Sequence, residues 1–184
     1  MTGCSKDQNI GSMLEGTWQG QMGVYVEDAE GNTYTSTTTQ MSFGSDPFRF
    51  TRGDGYWIDY YNYQFGWGGS YIASHIRWRV QDGVIKIHFT EDNYDIEITD
   101  YRINNGHFVG EIHTAEDYVD EVGNLETVYK DISFSMYKLS EEPDWSNIYF
   151  YDRGAFYYAP AQNGQAEQPK REVYKRHFRD FNAE

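Results

Sequence analysis

Residues 76–89 read Ile76-Arg77-Trp78-Arg79-Val80-Gln81-Asp82-Gly83-Val84-Ile85-Lys86-Ile87-His88-Phe89. Ile76, Trp78, Val80, Ile85, Ile87 and Phe89 alternate with Arg77, Arg79, Lys86 and His88. A period of two marks strands with one buried face. Asp82-Gly83 is the residue pair that a two-residue hairpin turn favours, because both positions need positive φ. Pairing across it sets Val80 opposite Ile85 and Trp78 opposite Ile87. The two apolar faces then coincide, and a slip of one residue would part them. The stretch predicts an antiparallel hairpin.

The same period extends in both directions. Upstream, Trp18, Gly20, Met22, Val24 and Val26 share one phase, and a Thr-rich run from Thr33 to Phe43 follows. Threonine suits a pleated surface. Tyr56, Ile58 and Tyr60 alternate with Trp57, Asp59 and Tyr61. Downstream come Tyr94 to Ile103, a second turn at Asn105-Gly106, then Phe108 to Thr114 and Thr127 to Leu139. Ile96 and Ile98 are out of phase with Ile103, which calls for a bulge near Thr99-Asp100. Phe48 and Phe50 either extend a strand or form a small extra one. The count is eight sequential strands with short connections and no helix between them. Such a meander closes most simply into an all-β, eight-stranded antiparallel up-and-down barrel, which removes its edges.

Composition bounds the rest. The 184 residues carry 15 Lys+Arg against 29 Asp+Glu, a net charge of −14. A chain of this length buries roughly 70% of its unfolded surface and needs no staples. One cysteine excludes an intramolecular disulfide framework and a Cys-rich zinc site. The negative charge argues against nucleic-acid binding. Three segments are expected: a polar tether over 1–13, the barrel over 14–140, and an extension over 141–184. Within the extension, Ile148 to Tyr151 and Ala155 to Tyr158 suggest an aromatic hairpin, and 159–169 reads as a linker. Glu167 to Phe181 reads as a frayed tail or a short helix, with Tyr174, His177 and Phe181 at helical spacing.

Two parts of the chain are familiar. Leu14-Glu15-Gly16-Thr17-Trp18 resembles the opening of lipocalin-like (calycin) barrels, and residues 76–85 resemble the middle strands of lipocalin-like lipoproteins of Bacteroidetes-type bacteria. Cys4-Ser5-Lys6-Asp7 resembles the mature start of such lipoproteins, and Thr2-Gly3-Cys4 the end of their processing site. The resemblance implies a barrel held in the cell envelope, periplasmic or at the outer-membrane surface, by lipid on Cys4. The membrane would be met through that anchor only.

Catalytic signatures are absent: no Walker loop, no G-x-S-x-G, no H-E-x-x-H. Gly66-Trp67-Gly68-Gly69 lacks the following helix that a phosphate loop requires. Arg52-Gly53-Asp54 is explained by turn chemistry. No enzyme and no cofactor are therefore expected. His107, Glu111 and His113 share one strand face, so Glu111 and His113 could meet one metal given a third ligand from a neighbouring strand. The expectation here is a solvated outer face and no metal.

Loops alternate ends in a meander. Asp82-Gly83 and Asn105-Gly106 thus lie at one end. The other gathers acidic and aromatic loops carrying Glu30, Trp67, Glu91, Asp92, Asp117, Tyr118 and Asp120. A negative mouth repels anions and favours cationic or neutral ligands. The interior is expected to be lined by Trp18, Met22, Tyr60, Ile76, Trp78, Phe89 and Phe134. Two functions follow. In the first, a hollow barrel binds a small apolar, aromatic or cationic ligand. In the second, large side chains fill the barrel, and the protein meets a protein or glycan partner through exposed aromatics.

Overall fold

A computed structural model describes residues 3–65, 68–120, 122–140, 150, 156–158, 169–171 and 175–179. The order is a helix α1 (Gly3–Leu14), then β1 (Gly16–Gln21), β2 (Val24–Glu27), β3 (Thr33–Phe43), β4 (Arg52–Tyr61), β5 (Tyr71–Gln81), β6 (Val84–Phe89), β7 (Tyr94–Asn104), β8 (His107–Val119) and β9 (Leu125–Ser140). Three short strands follow: β10 (Phe156–Tyr158), β11 (Pro169–Arg171) and β12 (Lys175–Phe178). Consecutive strands from β3 to β9 pair antiparallel, and β1 pairs with both β3 and β9. The ring is therefore a closed eight-stranded up-and-down barrel, with additional strands outside it.

The hairpin register is the expected one, Val80 opposite Ile85 and Trp78 opposite Ile87. Asp82 and Gly83 both have positive φ, as do Asn105 and Gly106 at the second turn. The bulge also falls where the phase slips: the β7–β8 register shifts between Thr99 and Arg102, and Asp100 has a φ of 45°. Around Phe48 there is only an isolated bridge, Asp46 to Arg49, and no ninth ring strand. Phe48 itself is 91% exposed.

Four expectations need correction. The segment read as a tether is α1, in which Ile10 and Leu14, one helical turn apart, are buried in the main core. The Leu14 carbonyl, free at the helix end, accepts from Trp18 Nε1 at 2.7 Å. The Asp7 carboxylate accepts from the Asp82 and Gly83 amides at 3.0 and 2.9 Å. A Cβ on Gly11 would stand 1.8 Å from the Phe50 carbonyl oxygen, so only glycine permits this approach. The helix thus closes the tight-turn end of the barrel.

The second correction concerns β4. Trp57 lies in the main core, while Tyr56, Ile58 and Tyr60 form a separate cluster with Ala73, Tyr71 and Phe150. Gly55 pairs with Ile76 and Gly53 with Trp78, which fixes the odd positions inward. Both faces of β4 are covered, so alternation could not tell inside from outside. Third, Pro169, the last residue of the expected linker, opens a strand, Pro169–Arg171, that pairs with Phe156–Tyr158; the rest of the linker and the other arm of the expected aromatic hairpin, Phe150 apart, lie outside the described residues. Fourth, 175–178 is neither helix nor tail but a strand on β2.

The C-terminal strand returns the chain to the opposite end of the barrel. β9 finishes with Ser140 opposite Thr17, beside α1. Phe150 stacks on His75 at 3.7 Å on the outer face. β12 then pairs with β2, which has turned away from β9 after Gly23.

Candidate functional site

The acidic mouth is where the chain concentrates unusual chemistry. Asp59 of β4 is fully buried. An isolated carboxylate there would cost several kcal/mol. Asp59 is instead surrounded by donors. Thr39 Oγ1 donates to Oδ1 at 2.7 Å and Trp57 Nε1 to the same atom at 2.9 Å. Arg176 Nε donates to Oδ2 at 2.8 Å. Arg176 Nη1 continues to Ser74 Oγ at 3.0 Å and to Asp92 Oδ2 at 2.8 Å. The guanidinium also lies 4.8 Å from the centre of the Phe89 ring, within cation–π range. Burial disfavours the guanidinium charge, but Asp59 and Asp92 outweigh that and raise its pKa.

Phe178, two residues on and on the same face of β12, is fully buried and meets Trp57 edge-on at 5.9 Å. His177 points the other way and stacks on Tyr25 at 5.0 Å. Arg176 and Phe178 therefore enter the barrel together, and the C-terminal strand is the plug of its mouth.

Glu116 of β8 secures the plug. It contacts Lys130 Nζ at 2.8 Å, His177 Nδ1 at 3.2 Å and the Phe178 amide at 3.3 Å. Burial opposes its ionisation, but hydrogen bonds from His177 and Lys130, with the Lys130 charge, hold its pKa at about 2 against an ordinary 4.5. A depressed carboxylate pKa contributes stability above its unfolded value and loses it as pH falls through the folded one. Docking of β12 should therefore weaken between about pH 4.5 and 2. Acid titration followed by Trp57 fluorescence checks this: Glu116→Gln should flatten that limb, and an identical limb in both proteins would contradict the role.

Of the expected interior residues, Trp18, Met22, Ile76, Trp78, Phe89 and Phe134 share one buried cluster, and Tyr60 is on the other face. Of the mouth residues, Asp92 reaches the plug. Glu91 accepts from the His75 amide at 2.8 Å and meets His75 Nδ1 at 2.5 Å. Glu30 is exposed in the β2–β3 turn. Asp120 organises the β8–β9 turn by accepting from the Val122 and Asn124 amides. Asp117 accepts from Thr127 at 2.6 Å, and Tyr118 bonds Glu126. Trp67 lies outside the described residues. Sequence reading missed Asp59, Ser74, Arg176 and Phe178. The available signal was a lone Asp inside the aromatic run 56–61.

Two concavities are external. One, of about 1100 Å³, lies between Gly44–Pro47 and the outer faces of β5–β7. Arg79 there stands opposite Arg52 on one side and Lys86 on the other. Arg52 pairs with Asp46 and Lys86 with Glu97. The other, of about 420 Å³, separates α1 from the β7 bulge.

The β8–β9 hairpin runs on beyond the ring as an arm; its base is held against β12 through Glu116 and Lys130, and its tip stands clear. From Thr114 to Val119 and Leu125 to Lys130 the two strands pair, among the described residues, only with each other. Beyond Glu116, at roughly 3.4 Å per residue, the free tip reaches about 10 Å. Tyr118, Val119, Val122, Leu125 and Tyr129 are all exposed on the arm, Val122 by 85% and Tyr129 by 81%.

No family model matches the chain, and searches of curated proteins and of solved structures find no match. Among the described residues no helix is long and apolar enough to cross a membrane.

Proposed function

We propose that this protein is a non-enzymatic, lipid-anchored interaction module of a bacterial envelope, in which a filled barrel presents the β8–β9 arm to a protein partner. The observation that carries this reading is the occupied interior. One contiguous cluster runs from Ile10 and Leu14 at the helical end to Trp57 and Phe178 at the mouth. Side chains that fill a small barrel make it a scaffold rather than a container. The contact surface is then external, and clustered apolar residues on an exposed arm mark interaction sites. Acidic Asp117, Asp120 and Glu126 around them favour a partner with a basic rim.

The anchor reading rests on the resemblance of residues 2–7 to Bacteroidetes-type lipoproteins. Cys4 lies in the first turn of α1, so lipid on it would turn the helical end toward the bilayer. The acidic mouth and the arm would then face away from anionic headgroups. Growth with a fatty-acid analogue, from the full upstream reading frame, should label the protein. An unlabelled soluble product, unchanged by Cys4→Ala, would remove the anchor. A photo-cross-linking residue at Val122 should capture partner protein in the native host far more than one at Asn105. Equal capture at the two ends would overturn the assignment of the arm.

The small-ligand reading keeps one supporting feature. The seat of Arg176 between Asp59 and Asp92 would suit a planar cation, provided β12 withdrew.

A further inference from the structure

We infer that the β7 bulge builds a site for a first-row divalent transition metal, with Asp100, Glu111 and His113 as its protein ligands. One ligand atom from each of the three lies within 4.8 Å of the others. Glu111 and His113 alternate on the outer face of β8. Regular pairing would set only Thr99 and Glu97 across from them. The extra residue at the bulge changes that. Asp100 takes a φ of 45°, a left-handed conformation, and its carboxylate joins the outer face. Bulges re-aim side chains in this way. Here the bulge supplies the third ligand, from the neighbouring strand.

The imidazole is set for coordination. His113 Nδ1 is held by the Asp131 carboxylate of β9. A carboxylate can only accept, so Nδ1 carries the hydrogen, and in the neutral ring the Nε2 lone pair is the one left for a metal. This carboxylate–histidine arrangement orients metal-bound histidines. Nε2 faces the Thr99 hydroxyl, which also lies 3.2 Å from Asp100 Oδ2. Two carboxylates thus converge on an imidazole, and among the described residues neither has a Lys or Arg partner. A divalent cation removes that repulsion. Three mixed nitrogen and oxygen ligands on one side leave the remaining positions to water, an open site rather than a closed structural one.

The test uses the full-length, tag-free protein, freed of metal with a chelator and titrated with Zn²⁺ by calorimetry. Expected is one Zn²⁺ per chain, with affinity lowered at least 10-fold in His113→Ala, Asp100→Asn and Glu111→Gln. Asp131→Asn, which loosens the ring without removing a ligand, should weaken binding about 10- to 100-fold. His107→Ala, on the same strand face, should bind as the parent does. Co²⁺ should give visible absorption bands that vanish in His113→Ala. The ligands are on the outer surface, so unchanged melting of the metal-free variants shows that they fold. No Zn²⁺ binding, or binding equal in His113→Ala and the parent, would overturn the site.

Discussion

Asp59→Ala should cost about 3–5 kcal/mol, because removing one partner of a buried ion pair strands the other. The stranded group is the Arg176 guanidinium, which would keep Asp92 and Ser74 but lose its Nε acceptor. Trp57 Nε1 and Thr39 Oγ1 would lose theirs at the same time. The cheapest response is withdrawal of β12, which returns Arg176 to water and exposes Phe178. Amide exchange at 175–178 should therefore rise more steeply than in β5 or β6. The pair is not needed for stability as such: replacing both ions by apolar groups of like volume is often neutral or stabilising. Asp59→Leu combined with Arg176→Met should recover most of the loss in denaturant melts. A double variant as unstable as Asp59→Ala would mean that the ion pair is not the cause.

Trp78→Ala is the second large effect, about 3–5 kcal/mol, as for other large aromatic truncations. Trp78 is buried, meets Phe43 edge-on at 5.9 Å, and donates Nε1 to the Gly44 carbonyl at 3.0 Å. Truncation would leave a cavity and a carbonyl without its donor. Its neighbours Arg77 and Arg79 point outward, and no ion pair involves them among the described residues. Arg77→Ala and Arg79→Ala should stay within about 0.5 kcal/mol, as ordinary surface sites do. Denaturant melts decide. If Arg77→Ala cost more than Trp78→Ala, the inward set of the β5–β6 hairpin would be inverted.

Legibility followed how many faces of each element are buried. The β5–β6 hairpin has one wet and one dry face, so Arg77, Arg79, Lys86 and His88 declared its register. The bulge was readable because Ile103 breaks the phase of Ile96 and Ile98, and a chain keeping both sets inside must add a residue. β4 was not readable in the same way. Phe150 covers its outer face, and Tyr56 is as buried as Trp57. The helix was hidden by its polarity, since among its described side chains only Ile10 and Leu14 enter the main core. β12 inverts the usual code: its inward residues are Arg176 and Phe178, so Lys175-Arg176-His177-Phe178 shows no polar–apolar alternation. The plug depends on a charge buried against Asp59, more than a hundred residues away. Such a pairing leaves no local periodic trace. The metal site was half visible, in Glu111 and His113. Asp100 was foreseeable only as part of a bulge.

The filled barrel is the central claim, and native mass spectrometry of natively processed protein tests it most directly. Gentle ionisation preserves small molecules held inside a barrel. The expected mass is that of the chain, its lipid and at most a bound metal ion. A stoichiometric organic adduct, bound by the parent and lost in Trp57→Ala or Phe89→Ala, would contradict it.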